Sequence, residues 1–109
     1  LEAFVNQDTS NLHRSEILLG ICLALNYMHT RQPSLVHGDL KSSNILVEPA
    51  GDSVRPKLMD FGLSRVLGRR SRPLGGTLSW MAPEVLNRTG PVCCSADMYS
   101  FGRLTAFVA

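Results

Sequence analysis

The chain has 109 residues, so it forms one domain at most and can bury only a modest hydrophobic core. Hydrophobic residues make up 44% and charged residues 18%, a globular balance that excludes disordered and collagen-like chains. A net charge of +2 is too small to indicate nucleic acid or an anionic membrane as the main partner.

The cysteines and the apolar runs favour an intracellular protein. The three cysteines form no disulfide or metal-binding framework, so we expect reduced thiols and a cytoplasmic location, either alone or as the cytosolic part of a larger or receptor-like protein. The longest apolar run, residues 17–25, is too short to span a bilayer, and no signal peptide is recognisable. Because the chain starts with leucine and stops inside an apolar helical pattern, we expect it to be part of a longer protein.

The first half of the chain shows a helical pattern followed by two β-like runs. Residues 1–11 predict a short helix and a turn, and residues 12–28 predict a long helix that is apolar on nearly all sides and should be buried. Residues 44–48 and 54–59, joined by a turn-rich connector, predict a β-hairpin. Pro56 indicates that the second strand starts late or lies at an edge.

The second half begins with a basic, glycine-bearing loop over residues 60–76. Residues 81–87 predict a short helix with Pro83 in its first turn. The stretch from residue 95 to the end predicts a second long buried helix, with Ser95 as its cap.

Three short motifs occur in a fixed order along these elements. The first is His37-Gly38-Asp39-Leu40-Lys41, with Asn44 five residues after the aspartate; the second is Asp60-Phe61-Gly62, and the third is Ala82-Pro83-Glu84. Each motif alone is weak, and the first by itself would be read as a polar turn before a strand. Their order, spacing and agreement with the predicted elements make the combination specific.

The chain here resembles the eukaryotic protein kinases, over the central part of their large lobe. The stretches "GTLSWMAPEVL" and "ADMYSFG" resemble the tyrosine-kinase-like group of serine/threonine kinases. The resemblance covers nearly the whole chain and implies an α+β, mainly helical fold with one small β-hairpin. It also implies a single partial kinase domain over residues 1–109, with the small lobe and the C-terminal helices outside this chain.

The resemblance implies ATP and Mg²⁺ as cofactors and a protein serine or threonine as substrate, with no nucleic acid and no membrane segment in this chain. Asp39 would deprotonate the substrate hydroxyl, and Lys41 would neutralise charge on the transferred phosphate. Asn44 and Asp60 would bind magnesium through oxygen ligands. Leu46 would form the floor of the adenine pocket.

The other matched positions would regulate or support the site. Phe61, Gly62, Ser71, Thr77 and Glu84 would belong to the activation segment, and Thr77 would contact Asp39 and Lys41. His37 and Asp97 are implied to be structural anchors: His37 in the hydrophobic stack that links the lobes, and Asp97 in contact with the backbone around Asp39. Ser71 lies among arginines, which predicts either a target for a basophilic kinase or a solvated basic loop.

Gly38 departs from the family pattern, which has arginine there. That arginine contacts a phosphate on the activation segment, so its loss predicts activity independent of phosphorylation or a different form of control.

The chain also lacks the glycine-rich loop and lysine of the small lobe, so the fragment alone should be inactive. A pseudokinase or a truncated kinase that acts as a binding module is the alternative, and a helical adaptor with chance motifs is a third.

The remaining polar and aromatic residues carry simpler predictions. We expect His13 and His29 to be surface or helix-end groups, and Trp80 to pack beneath its loop.

Overall fold

Two long helices and one β-hairpin make up most of the chain. A computed structural model describes residues 1–7, 9–60, 65–66, 78–90 and 93–109, with the backbone alone for 65–66. The mainly helical α+β prediction is confirmed. The elements in chain order are α1 (Glu2–Val5), α2 (Asn11–His29), β1 (Leu35–Val36), β2 (Ile45–Ala50), β3 (Ser53–Leu58), β4 (Arg65–Val66), α3 (Pro83–Leu86) and α4 (Cys94–Val108), with 3-10 turns at Ser42–Asn44 and Leu78–Trp80.

Helix α2 is the central element, and it is buried on one face only. The Ser10 hydroxyl accepts the His13 N–H at 3.2 Å and caps the helix start. Its buried residues are spaced three or four apart: Ile17, Ile21, Leu25 and Met28. The prediction of burial on nearly all sides is wrong, because the described elements cover one face and leave Leu19 and Leu23 each 60% exposed.

The predicted hairpin is formed by β2 and β3, which pair antiparallel from Ile45 opposite Leu58 to Ala50 opposite Ser53. Gly51 in the turn has a φ of +63°, a conformation that glycine adopts without steric cost. Strand β3 begins at Ser53 and includes Pro56, so it does not start late, but it lies at an edge of its sheet, which was the other alternative. The two strands form a two-stranded sheet, in which a proline can face the open edge.

A second antiparallel pair joins β1 to β4, with Leu35 opposite Val66 and Val36 opposite Arg65. The sequence did not predict this pair, because two residues are too few to show a strand periodicity. No helix within the described residues has the length and apolar content needed to span a membrane.

The second half of the chain contains two helices, and the start of one agrees with the prediction while the start of the other does not. Helix α3 has Pro83 in its first turn, as predicted, and Ala82 stands at the capping position. Helix α4 begins at Cys94 with Cys93 at the capping position, so the Ser95 cap is wrong. Ser95 lies inside the first turn, where its hydroxyl is 2.7 Å from the Cys93 sulfur.

The core lies where α2, α4 and the hairpin meet. Its six buried members are Ile17, Ile21, Leu25, Leu40, Ile45 and Leu104. Leu40 and Ile45 belong to the segment that carries the first motif, so burial of apolar side chains on both sides holds that segment against α2 and α4. A smaller apolar cluster holds β1 against α3 and the start of α4 through Val36, Ala82, Val85 and Ala96.

The hairpin approaches α2 closely at Gly20. A Cβ atom on Gly20 would lie 2.4 Å from Cγ and 2.8 Å from Cδ of Pro56. The Pro56 ring is tied to the β3 backbone, so it cannot rotate away as a flexible side chain would. The Glu16 carboxylate accepts the Val54 N–H at 3.2 Å. This bond joins α2 to β3 one helical turn before Gly20.

We predict that Gly20→Ala lowers the free energy of unfolding by about 1–3 kcal/mol, because the added methyl group overlaps Pro56. Gly102→Ala is the matched control, since a Cβ on Gly102 meets nothing within 4 Å and alanine favours the helix by up to about 1 kcal/mol. Urea denaturation followed by circular dichroism measures both. A Gly20→Ala protein at least as stable as Gly102→Ala would contradict the close approach.

Candidate functional site

The polar loop, residues 37–44, brings three polar groups of the first motif together. The Asn44 amide nitrogen donates to the Asp39 backbone carbonyl at 2.8 Å and to the Asp39 carboxylate at 3.2 Å. The Lys41 ammonium lies 3.6 Å from the same carboxylate oxygen. The side chains of Asp39 and Lys41 keep 11% and 23% of their surface exposed. A carboxylate, a cation and an amide therefore meet at a surface that a ligand can reach.

Asn44 is held by its place in the fold as well as by these bonds. It ends the 3-10 turn Ser42–Asn44 and donates its backbone N–H to the Lys41 carbonyl at 3.0 Å. The side chain is buried, with the residue 6% exposed. The amide donates to Asp39 through its nitrogen, so these two bonds do not use the amide oxygen, an atom that can act as a cation ligand.

Asp60 follows the hairpin at the point where the hairpin is bonded to the polar loop. The Met59 N–H donates to the Asn44 carbonyl at 2.8 Å, and the Met59 carbonyl accepts from the His37 ring at 3.0 Å. Asp60 itself is exposed and has a φ of +59°, a left-handed conformation that aspartate tolerates better than most residues. Asp60 therefore directly follows the residue that bonds the hairpin to Asn44.

His37 is fully buried and links the polar loop to the hairpin. The Asp39 N–H donates to Nδ1 of the ring at 3.2 Å, while Nε2 lies 3.0 Å from the Met59 carbonyl. An N–H on one side and a carbonyl on the other select the tautomer with its proton on Nε2. The ring thus holds the backbone of Asp39 and the backbone next to Asp60 at once.

Asp97 lies beneath the polar loop, in the first turn of α4, and is 1% exposed. One carboxylate oxygen accepts the Gly38 N–H at 3.0 Å, and the other accepts the His37 N–H at 2.8 Å. Hydrogen bonds to a charged acceptor are about twice as strong as neutral ones, and a buried carboxylate without them would be costly. Asp97 is thus bonded to the backbone of the two residues before Asp39.

His29 is a residue of this network that the sequence analysis missed. Its Nε2 donates to the carboxylate oxygen of Asp97 that His37 also uses, at 2.8 Å. The sequence predicted a surface or helix-end group: His29 ends α2, which agrees with the second alternative, while its side chain is only 13% exposed. Helix-end histidines are common, and no local signal indicates a partner 68 residues away.

The other predicted site residues are spread more widely. Leu46 is 44% exposed on β2, directly after the buried Ile45. Glu84 lies half-buried in the first turn of α3. Trp80 packs against the core and the Phe107 ring, and its carbonyl accepts the Ser100 hydroxyl at 2.6 Å, which agrees with the packing prediction. The remaining predicted residues lie outside the described part of the chain: Phe61, Gly62, Ser71 and Thr77.

The residues present fit magnesium better than a transition metal. Asn44 and Asp60 supply oxygen ligands, which suit a hard cation that keeps water and phosphate oxygens in its remaining positions. Within the described residues, no cluster of three or more His, Cys, Asp or Glu side chains could hold a metal by itself. A magnesium ion held by Asn44 and Asp60 would fill its remaining positions with oxygens of water or of a bound ligand.

The Cys94 thiol at the start of α4 is affected by the same buried carboxylate. Burial raises the pKa of Cys94 above its ordinary value of 9.0, and the negative charge of Asp97 raises it further. The thiolate is the reactive form of cysteine, so a raised pKa lowers reactivity at neutral pH.

We predict that iodoacetamide alkylates the exposed Cys22 before Cys94 at pH 7.5, because burial and the charge of Asp97 disfavour the Cys94 thiolate. The Cys94 rate should still rise as pH passes 9.0, where an unshifted thiol begins to level off. Peptide mapping of the labelled chain by mass spectrometry measures both rates. Faster labelling of Cys94 than of Cys22 at neutral pH would contradict the shift.

Comparison with known proteins identifies the family. Residues 3–109 match the family model described as protein kinase domain. The chain is 44% identical over 96 residues to receptor-interacting serine/threonine-protein kinase 3 of Rattus norvegicus, and 40% identical over 102 residues to interleukin-1 receptor-associated kinase 1 of Bos taurus. These alignments each cover 82% of this chain, but only 19% and 14% of the two relatives.

A solved structure has the same fold. A chain in the crystal structure of the yeast RNA Pol II CTD kinase CTDK-1 complex superposes with a TM-score of 0.84 at 26% identity, over 99% of this chain and 36% of that one. The sequence relatives are serine/threonine kinases of the tyrosine-kinase-like type, as the motifs predicted. The chain belongs to the protein kinase family and forms part of a kinase domain.

Proposed function

We propose that the kinase domain containing this chain transfers a phosphoryl group from Mg-ATP to a serine or threonine hydroxyl of a protein. The observation that carries the proposal is the convergence of Lys41 and Asn44 on one carboxylate oxygen of Asp39. The name of receptor-interacting serine/threonine-protein kinase 3 supports serine or threonine as the acceptor. The three free cysteines agree with a cytosolic location, where thiols stay reduced.

Asp39 is the group that receives the hydroxyl proton in this proposal. Its carboxylate accepts a hydrogen bond from the substrate hydroxyl and aims the oxygen at the γ-phosphorus. The new P–O bond forms as the bond to the bridging oxygen of ADP breaks, and the hydroxyl proton passes to Asp39. The side chain suits this task because Asn44 fixes its orientation while part of its surface stays exposed.

The negative charge of the ATP phosphates is the concern of the other three residues, Lys41, Asn44 and Asp60. Lys41 can reach both Asp39 and a phosphate, so its cation offsets charge as the phosphoryl group moves. Asn44 and Asp60 hold magnesium through their side-chain oxygens, and magnesium bound there would neutralise charge on the ATP phosphates. Positioning and charge neutralisation are the main requirements of phosphoryl transfer, and these residues supply both.

The remaining predicted residues surround this centre. The exposed Leu46 offers an apolar surface for the adenine ring. We assign Phe61, Gly62, Thr77 and Glu84 to the activation segment by their motifs, with Thr77 in contact with Asp39 and Lys41. We also assign His37 to the stack that links the two lobes.

We predict that Asp39→Ala and Asp60→Asn each lower kcat of the full-length kinase by about 10²–10⁴-fold, because one loses the proton acceptor and the other a magnesium ligand. Asp52→Asn is the matched control, since Asp52 is exposed in the hairpin turn and asparagine suits turns. Transfer of ³²P from labelled ATP to a protein substrate measures all three.

Two outcomes would contradict this function. Transfer that persists unchanged in both the Asp39 and Asp60 variants would place the chemistry elsewhere. Magnesium-dependent binding of ATP with no transfer by the wild-type protein would favour the alternative of a non-catalytic binding module.

Gly38 leads us to propose a site that needs no phosphate to order it. Gly38 has a φ of +85°, and its N–H is bonded to Asp97. It has no side chain to contact a phosphorylated activation segment, so the backbone bonds to Asp97 must order the loop.

We therefore predict that treatment of the full-length kinase with a phosphatase changes kcat by less than about threefold. Ser71→Ala should likewise keep its activity, with Asp39→Ala as the inactive reference. An inactive dephosphorylated enzyme that regains activity on phosphorylation would contradict this prediction.

A further inference from the structure

Two of the three cysteines, Cys93 and Cys94, are adjacent at the start of α4. Both are free thiols and both are partly exposed, so a small oxidant can reach them. Neither thiol has a part in the proposed transfer of phosphate. Because the two thiols sit on neighbouring residues, each has the other at a high local concentration. Redox-sensing cysteines have this arrangement, in which an accessible thiol lies beside a second thiol that can react with it.

The two thiols have different surroundings. The Cys93 sulfur lies 2.7 Å from the Ser95 hydroxyl, which can donate a hydrogen bond to it when the sulfur is a thiolate. Cys94 packs against the smaller apolar cluster, and burial together with the charge of Asp97 raises its pKa. Since the thiolate is the form that attacks an oxidant, the first step of an oxidation belongs to Cys93 and the second to Cys94.

We propose that Cys93 and Cys94 form a modification site, in which hydrogen peroxide oxidises the two thiols to a disulfide bond between neighbouring residues. The Cys93 sulfur first attacks the peroxide: an S–O bond forms, the O–O bond breaks, and the leaving hydroxide takes up a proton to become water. The Cys94 sulfur then attacks the sulfur of this sulfenic acid, so that the S–S bond forms, the S–O bond breaks, and the hydroxide leaves with the Cys94 proton as water. The two thiols together lose two electrons, and one hydrogen peroxide is reduced to two waters.

This disulfide requires a change in the backbone. Neighbouring Cα atoms joined by a trans peptide lie about 3.8 Å apart, whereas disulfide-bonded residues usually have Cα atoms about 4.4–6.8 Å apart. Cys93 has an extended backbone, with φ −141° and ψ 178°, and such a backbone directs neighbouring side chains to opposite sides. Joining the two sulfurs therefore rotates the backbone where α4 begins. Strained disulfides are reduced more easily, so thiol reductants should reverse the modification.

The start of α4 is connected to the polar loop. The Cys93 carbonyl accepts the Ala96 N–H at 3.0 Å in the first turn of the helix. Asp97 follows in the same turn, and its carboxylate accepts the N–H groups of His37 and Gly38. Rotation of the Cys93 backbone breaks the first bond and displaces Asp97, so the polar loop should loosen. Oxidation would thereby lower phosphate transfer, an effect that rests on the function proposed above.

Mass spectrometry of the full-length kinase tests the modification itself. After treatment with hydrogen peroxide and blocking with N-ethylmaleimide, we expect the peptide that holds both cysteines to be unlabelled and lighter by two hydrogen atoms. Reduction with dithiothreitol should let it take two labels. Cys94→Ser should stop at the sulfenic acid of Cys93, which dimedone traps. Cys93→Ser should form no disulfide, and it should fold because serine suits the capping position.

Cys22→Ser is the matched control, because Cys22 is an exposed thiol on α2. It should leave the disulfide between Cys93 and Cys94 unchanged. Free thiols on both of these cysteines after Cys22 has been oxidised would overturn the proposal. So would a disulfide from either of them to another chain in place of the internal bond.

Hydrogen exchange and kinetics test the effect on the polar loop. In the oxidised protein we expect the His37 and Gly38 amides to exchange on the order of tenfold faster, while the Met59 amide, bonded to Asn44, is unchanged. We also expect kcat to fall by about tenfold and to recover with dithiothreitol. Cys93→Ser treated with peroxide should keep the exchange rates and kcat of the untreated protein.

The outcomes separate the disulfide from the function on which its effect rests. A wild-type enzyme without transfer would refute the proposed function but not the disulfide found by mass spectrometry. A disulfide that leaves both amide exchange and kcat unchanged would refute the link to the polar loop.

Discussion

The buried carboxylate of Asp97 is the constraint on which the site depends. A charge removed from water needs hydrogen bonds, and Asp97 obtains them from His29, His37 and Gly38. These donors come from the end of α2 and from the polar loop, while the carboxylate belongs to α4. Satisfying one charge therefore joins two long helices to the segment that carries Asp39. The loop is positioned from below by a side chain that takes no direct part in the proposed chemistry.

Among the described residues, the core and the hairpin both support the polar loop. Leu40 and Ile45 bury their side chains in the core, and the His37 ring joins the loop to the end of the hairpin. Asp39 and Lys41 remain partly exposed above this support. A phosphoryl-transfer site requires a loop with a fixed backbone and solvent-accessible polar side chains. The substrate and ATP must enter while the proton acceptor stays in place.

Two glycines meet different physical requirements near this site. Gly20 leaves room for the Pro56 ring, so the hairpin can lie close against α2. Gly38 adopts a left-handed φ of +85° and donates its N–H to Asp97. A side chain is excluded by space at the first position and disfavoured by backbone conformation at the second. The absence of an arginine beside Asp39 thus goes together with a loop ordered through its backbone.

The sequence by itself determined the long helices, the hairpin, the kinase family and the group formed by Asp39, Lys41 and Asn44. The helices and the hairpin follow from periodicity, and the polar group follows from spacings of a few residues, over which chain geometry limits the possible arrangements. The family follows from the resemblance of three motifs in a fixed order. Tertiary structure decided the rest: that α2 buries one face, that α4 starts at Cys94, and that His29 meets Asp97 across 68 residues. Such contacts depend on which elements pack together, and a single histidine at a helix end carries no local signal of its distant partner.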